Sequence, residues 1–515
     1  MRFLRFLLIL GIVAGFAILA LRLTHPLPDL PRGEASSAIP PSEETALGAG
    51  LMPLMAEHEN LSGVVPLADG RDALAARILL ARAAQETIDV QYYIWQTDTT
   101  GWLLLEELRA AAARGVRVRM LLDDNGISGL DNVLADLDAM DNVEIRIFNP
   151  FTMRNSKMLS YAFDFFRLNR RMHNKSMTVD GVATVIGGRN IGDIYFAYGE
   201  GTAYFDLDVL VVGPAARDVS ENFDAYWTSG SSYAAADILP PHEDGLAELA
   251  AAVAIAQASA RGSEYAASIA DAPVLSRVLE GEDVMEWTTV TLVSDDPAKG
   301  LGAAAQDALL VRQLPALLAQ PAESIDLVSA YLIPGDAGTA LIEGFLAAGI
   351  RTRLVTNSLE ATDVPVVHSA WMGYRDRLVR AGAEVLELRA RQGRPADASL
   401  AQILTGSQSS LHAKTFAVDG ARIFIGSFNF DPRSASLNTE MGFLIESPTI
   451  ATAMSRSLDR LEAFYSVTPT SDGAIEWSET AQDGTIEIYA QEPNTTALQR
   501  GIVRVMSWLP VEWIL

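Results

Sequence analysis

Apolar positions recur along this chain with two different periods. Over 71–84 and again over 100–114 they fall three and four residues apart, as on a helix with one buried face. Over 87–95 and 116–122 they run together and are rich in β-branched and aromatic residues, as in strands buried on both faces. Strand, helix and strand in that order predict a βαβ unit. Further on, 176–179 and 182–186 read as paired strands on either side of Asp180-Gly181, a two-residue hairpin signal. Another strand is expected over 204–212, and an alanine-rich helical connection between about 240 and 285.

The order then starts again. Glu323-Ser324-Ile325-Asp326-Leu327 answers Glu86-Thr87-Ile88-Asp89-Val90 at an offset of 237. Ala348-Gly349-Ile350-Arg351-Thr352-Arg353 answers Arg114-Gly115-Val116-Arg117-Val118-Arg119 at an offset of 234. A strand over 439–445 answers 204–212. A repeat this long carries whole domains.

The N-terminal stretch is different in kind. After Arg2 and Arg5, an uninterrupted apolar run extends from Phe6 to Leu21. As a helix it spans about 24 Å. Counting Phe3, Leu4 and Leu23, with the arginines snorkelling, makes it long enough to cross a bilayer. A cleaved secretory signal looks similar, but no small-x-small site follows the run, which favours a retained anchor. Arg2 and Arg5 favour an inside N-terminus and a body outside the cytoplasm. The expected organisation is an anchor over 1–23, a proline- and serine-rich tether over 24–45, a first α/β domain over 46–240, a helical connection over 241–290 and a second α/β domain over 291–515.

Composition narrows the chemistry. The 515 residues contain no cysteine, which removes disulfides, thiolate metal sites and a cysteine nucleophile. With 39 basic against 65 acidic residues the net charge is −26, which opposes nucleic-acid binding. An anionic substrate therefore needs a local basic cluster.

Two such clusters stand in the repeat. The first reads His173-x-Lys175, four residues, Asp180, six residues, Gly187-Gly188-x-Asn190. The second reads His412-x-Lys414, four residues, Asp419, six residues, Gly426-Ser427-x-Asn429, with His412 lying 239 positions after His173. On a strand, residues two apart share a face, so each imidazole projects beside its ammonium. That pairing suits a phosphodiester. An imidazole can attack or transfer protons, and lysine with the asparagine amide stabilises the phosphate oxygens. Asp180 and Asp419 complete the motifs and count with the catalytic set. Their place at a turn favours a structural role, holding local backbone amides.

The paired motifs resemble those of the phospholipase D superfamily. Asp89-Val90-Gln91-Tyr92-Tyr93-Ile94-Trp95, 114–125, 171–193, Val355-Thr356-Asn357-Ser358-Leu359, 411–442 and the closing 508–515 resemble its bacterial cardiolipin synthase C type. The resemblance covers roughly 50–515. It implies an α/β fold of two phospholipase D-like sandwich domains related by pseudo-twofold symmetry, behind an N-terminal transmembrane helix. It implies one active site at their junction, working without metal or other cofactor. By the same resemblance His173 is the nucleophile and His412 the general acid/base. Lys175, Lys414, Asn190, Asn429, Gly188 and Ser427 hold the phosphate. Asp206 and Glu440 orient the histidines in a crossed arrangement, Glu440 on His173 and Asp206 on His412.

The expected activity is transfer of a phosphatidyl group to phosphatidylglycerol, giving cardiolipin at the bacterial inner membrane. The donor is phosphatidylethanolamine or a second phosphatidylglycerol. The alternative is hydrolysis to phosphatidic acid. A nuclease fits the acidic balance and the anchor poorly, and a non-catalytic lipid binder fits two intact motifs poorly. Arg154, Lys157, Arg167, Arg170, Arg171 and Lys175, interleaved with aromatics, are expected either to seat the body on anionic lipid or to form a solvated helix face. The tail with Trp508 and Trp513 is expected to pack into the second domain rather than to touch membrane. Arg433 is expected on the phosphate or on an acid of its own loop, and His368 in the core.

Overall fold

The structure is a computed structural model that describes residues 2–29, 36–196, 206–318, 321–390, 410–459, 461–481, 483–509 and 512. The start of the strand expected over 204–212 and most of 510–515, Trp513 included, lie outside them.

Two mixed sheets form the body. The first holds β1 (Ser62–Leu67), β2 (Thr87–Ile94), β3 (Arg117–Gly126), β4 (Val143–Phe148), β5 (Ser176–Val179), β6 (Ala183–Gly187), β7 (Asp208–Val212), β8 (Ser232–Ala234) and β9 (Glu286–Thr288). Their spatial order is β8-β4-β3-β2-β5-β6-β7-β1-β9. The second holds β10 (Val290–Ser294), β11 (Ser324–Ser329), β12 (Arg351–Asn357), β13 (Glu384–Leu388), β14 (Lys414–Val418), β15 (Arg422–Gly426), β16 (Met441–Ile445), β17 (Phe464–Pro469), β18 (Ile475–Thr480) and β19 (Ile486–Tyr489). Its order is β10-β16-β15-β14-β11-β12-β13-β17-β18-β19.

The run β4-β3-β2-β5-β6-β7 has the connectivity of β13-β12-β11-β14-β15-β16. In both, the first three strands are parallel and the hairpin that follows is antiparallel. Each hairpin turns on a left-handed Asp-Gly pair: Asp180 and Gly181 have φ of 48° and 64°, Asp419 and Gly420 of 54° and 58°. Positive φ at both positions is the twist-matched hairpin turn that Asp-Gly favours.

Strand alternation explains how the halves join. On β6 and β7, Val185, Leu210 and Val212 point into the first half's own core. Their neighbours Ile186, Val209 and Val211 point the other way, onto Ile423, Ile425, Met441, Phe443 and Ile445 of the second half. Both faces of these strands are thus buried, which is why their sequence runs apolar without alternating. The two sheets pack face to face with helices outside.

The connecting segment forms helices Gly245–Ala258, Ala260–Ala270 and Pro273–Leu279, and these cover the first half. The tether is partly docked. Arg119 Nη1 donates to Ser36 O at 2.7 Å, and Ala38 N donates to Asp224 Oδ2 at 2.8 Å.

Helix Arg2–Thr24 stands out from the body with its apolar side chains exposed. Among the described residues it alone is long and apolar enough to cross a membrane. It touches the body at helix Lys157–Leu168. There the basic residues expected to meet lipid or solvent turn inward. Arg154 pairs with Asp124 and Asp131, Lys157 with Asp124, Arg167 with Asp164 and Arg171 with Asp123. Arg170 donates to Lys299 O and Ser436 O. His368 is buried against Glu492 Oε1 at 3.2 Å. In the tail, helix Ala497–Met506 packs on helix Pro365–Arg380, but Trp508 is exposed, contrary to the expected packing.

Candidate active site

His173 and Lys175 lie just before β5, and His412 and Lys414 occupy the same place before and at the start of β14. Both pairs sit off the carboxyl ends of the parallel strands, where α/β sheets present their ligand sites. The halves are sewn together at this point. His173 N donates to Thr439 O at 2.9 Å, and Thr439 N donates to Arg171 O at 3.0 Å.

The acids cross between halves. His173 Nδ1 lies 2.8 Å from Glu440 Oε2, and His412 Nδ1 lies 2.6 Å from Asp206 Oδ2. With Nδ1 carrying the proton toward a carboxylate, each neutral ring has its lone pair on Nε2. Lys175 Nζ donates to His173 O at 2.5 Å. Lys414 Nζ donates to His412 O and lies 3.0 Å from His412 Nδ1.

Burial is the largest influence on every one of these groups. It lowers His173 to about 4, against the pull of Glu440 and with help from Lys175 and Lys414. It lowers His412 to about 3, joined by Lys414 and opposed by Asp206. Each histidine thus feels the lysine of the other motif, so the four side chains share one electrostatic site. Burial also lowers both ammonium groups, against Glu440 and Asp206. It works to raise the acids. His412, Lys414 and Arg189 overcome it at Asp206, and His173, Lys175 and Ser427 overcome it at Glu440, so both carboxyls titrate below their ordinary range. Near neutral pH the site therefore holds neutral imidazoles against ionised carboxylates.

Asn190 and Asn429 follow their strands closely and are buried. Asn190 Oδ1 accepts from Ile94 N at 3.2 Å, while its Nδ2 has no partner, which leaves an amide donor for an anionic oxygen. In Asn429 the amide oxygen lacks a partner, and a half-turn of the carboxamide would exchange it with the donor.

The expectation for Ser427 needs correcting, while Asp180 and Asp419, counted with the catalytic set, take the turn role that their position favours. Ser427 does not offer its hydroxyl to phosphate. Its Oγ donates to Glu440 Oε2 at 2.6 Å and accepts from Met441 N at 3.0 Å. Gly188 at the equivalent place makes room. A Cβ there would lie 2.1 Å from Asp206 Oδ1. Asp180 and Asp419 stand apart from the histidines, at the far turns of the hairpins. Asp180 accepts from the backbone N–H of Gln85, Glu86 and Thr87, and Asp419 from those of Ala322, Glu323 and Ser324. They pin each hairpin turn to the strand beside it. Against the burial that raises Asp431 of its own loop, Arg433 lies close enough to pull that carboxyl's pKa down. It donates to Asn169 O at 3.0 Å and Asn169 Oδ1 at 2.5 Å, across the junction.

Other residues around the site were not read from the motifs. Asp123, late in β3, accepts from Arg171 Nε and Met172 N, while Asn357, ending β12, accepts from Leu411 N at 2.7 Å. They brace the chain just ahead of each histidine from the same place in the repeat. A polar residue closing an apolar strand was the available signal. Tyr93 meets His173 edge-on at 5.1 Å between centroids, and Tyr195 meets His412 at 5.2 Å. Glu440 also accepts from Ser434 Oγ at 2.8 Å, and its backbone N–H donates to Asp295 Oδ2 at 2.9 Å. Asp295 in turn holds Lys299 Nζ at 2.8 Å.

Residues 78–227 and 314–462 match the family described as "Cardiolipin synthase, PLD-like domain". The chain is 43% identical to cardiolipin synthase C of Escherichia coli (strain K12) over 471 residues, which covers 91% of this chain and 99% of that one. It is 27% identical to cardiolipin synthase A of Pseudomonas syringae pv. syringae (strain B728a) over 398 residues, 77% of this chain and 66% of the relative. Its fold is similar to the crystal structure of phosphatidylserine synthase from Haemophilus influenzae Rd KW20, with a TM-score of 0.56 at 15% identity, covering 90% of this chain and 99% of that one.

Proposed function

Since the chain belongs to the cardiolipin synthase family of phospholipase D-like proteins, we propose that it is a phosphatidyltransferase that makes cardiolipin. It takes a phosphatidyl group from one phospholipid and delivers it to the headgroup hydroxyl of phosphatidylglycerol. The donor is a second phosphatidylglycerol or phosphatidylethanolamine. The protein works as an inner-membrane enzyme, with its body on the outer side of that membrane.

The crossed carboxylate–imidazole pairs carry this reading. They leave Nε2 of each ring as the working atom. His173 Nε2 attacks phosphorus, while protonated His412 gives its proton to the departing headgroup oxygen. The phosphatidyl group then rests on His173. His412, now neutral, takes the proton of the incoming hydroxyl, whose oxygen attacks phosphorus and frees His173. A covalent intermediate divides one difficult displacement into two. Proton transfer by a placed imidazole contributes about 10²- to 10⁴-fold. Lys175, Lys414 and Asn190 neutralise the oxygens, each such donor contributing about 10²- to 10³-fold. The bound phosphodiester brings a negative charge beside His412, which favours the imidazolium that the first step requires.

The test is product analysis. Purified protein is given labelled phosphatidylglycerol, with and without phosphatidylethanolamine. Cardiolipin is the expected product, and phosphatidic acid alone would replace transfer with hydrolysis. His412→Asn should slow release of a covalent phosphatidyl adduct on the protein, and His173→Asn should form none. An adduct retained in the His173 variant would reverse the two roles.

A further inference from the structure

Helix Lys157–Leu168 carries an apolar stripe that no other described residue of the body covers. Phe166 is 84% exposed, Met158 77% and Leu159 54%. Ala162 is exposed between them. Met158, Leu159 and Ala162 share one side of the helix ahead of a kink at Asp164 (φ −139°, ψ 34°), and Phe166 is exposed just beyond it. The opposite side is anchored. Phe163 and Leu168 are buried, Lys157 bonds Asp124, and Arg167 bonds both Asp164 and Pro150 O. The charged groups are thereby turned away from the stripe or neutralised.

The stripe lies beside the membrane-length helix. Helix Arg2–Thr24 touches Lys157–Leu168, and the His25 ring, one residue past its end, lies 6.4 Å from the Phe163 ring. A 23-residue helix is about 35 Å long, enough to cross the hydrocarbon layer, so its end emerges at the headgroups. The Lys157–Leu168 helix is therefore held at that depth. An exposed Phe–Met–Leu stripe on a helix lying at the headgroup level is the pattern of an in-plane membrane helix.

We infer that Lys157–Leu168 inserts its Met158, Leu159 and Phe166 edge about 5–10 Å into the same bilayer that holds the anchor, making a second, monotopic contact with lipid. This rests on the proposed membrane function. It also gives that function a geometry. Five residues past the helix comes His173, and Arg170 and Asn169 join the helix end to Ser436 and Arg433 of the second half. Insertion would hold the catalytic junction at the headgroups, where phosphodiesters lie.

The absence of cysteine makes the test direct. Leu159→Cys and Phe166→Cys in the full chain are labelled with an environment-sensitive dye and placed in phosphatidylcholine–phosphatidylglycerol bilayers. Phe16→Cys in the anchor and Asp472→Cys in the exposed turn between β17 and β18 are the positive and negative references. Expected at 159 and 166 are emission at shorter wavelength and loss of intensity when the phosphatidylcholine acyl chains carry a quencher. Quenching at Phe16 but at neither helix position overturns the inference. So does quenching at only one of the two, or a wavelength shift without quenching, which points to a protein partner or a second copy. The readout is independent of turnover, so an inactive protein would end the transferase reading and leave this one standing.

Discussion

Glu440 belongs to the second half of the chain, yet its Oε2 lies 2.8 Å from Nδ1 of His173 in the first. Asp206 returns the contact to His412 at 2.6 Å. Neither half can hold its own histidine in the working tautomer. Glu440→Gln and Asp206→Asn should each lower turnover by about 10²- to 10⁴-fold, because the ring orientation and the proton on Nδ1 are lost. Each carboxylate also stabilises the imidazolium, so its removal should lower the pKa of its partner further. Turnover for the first effect, and NMR titration of the imidazoles for the second, check this. A pKa that rises in Glu440→Gln would contradict the pairing.

The buried imidazoles make stability depend on pH. His173 titrates at about 4 and His412 at about 3 in the folded protein, against 6.5 unfolded. Between those values the unfolded chain binds more protons at these two rings than the folded one, so their contribution to stability falls as pH drops from about 6.5 toward 4. The buried carboxyls of Asp295 and Asp431, raised to about 6 and about 7, act in the opposite direction over the same range. The histidine contribution is therefore read by comparison: between pH 7 and pH 5 the melting temperature of the double variant His173→Asn, His412→Asn should fall less, or rise more, than that of the parent.

Asp180 and Asp419 separate structure from catalysis. Asp180 is fully buried and holds three backbone N–H groups, so Asp180→Ala should cost about 3 kcal/mol. Asp419 is half-buried, and Asp419→Ala should cost about 1 kcal/mol. Turnover per folded molecule should change little in either. Denaturant unfolding and turnover corrected for the folded fraction check the pair. A thousandfold loss of turnover at unchanged stability would return both residues to the chemistry.

Gly188 and Ser427 occupy one position of the repeat but tolerate different changes. Gly188→Ala places a methyl 2.1 Å from Asp206 Oδ1, so the carboxylate must leave His412 and turnover should fall about 10²-fold or more. Ser427→Ala removes one of the hydrogen bonds to Glu440 and leaves Ser434 Oγ in place. It should cost about 1 kcal/mol, or roughly tenfold at most. Comparing the two values of kcat tests whether small size, rather than phosphate contact, is what position 188 supplies.

Much of this architecture was legible from local pattern. The βαβ order, the Asp-Gly hairpins and the duplication all follow from short-range rules, because period and turn chemistry act over a few residues. The two histidine–lysine pairs were visible as residue types at fixed spacing. The turn role of Asp180 and Asp419 was favoured for the same reason, since an aspartate at a turn satisfies amides near it.

What spacing could not supply is the partner of each polar group. Ser427 reads as a phosphate ligand until Glu440 is folded against it. Asp123 and Asn357 read as strand ends until each is seen holding the residue ahead of a histidine. The arginines of 154–171 read as a lipid-facing or solvated charge, yet packing turns Arg154, Arg167 and Arg171 onto Asp124, Asp131, Asp164 and Asp123 and leaves Phe166 and Met158 outside. Sequence by itself determined the elements, the repeat and the reactive residue types, because those depend on neighbours along the chain. The crossing of Glu440 to His173 and Asp206 to His412 comes from the family resemblance and not from spacing. Tertiary structure alone decided which acids Arg154, Arg167 and Arg171 take and which side of a helix faces out, because a buried charge takes whatever partner the packing of distant segments brings within about 3 Å.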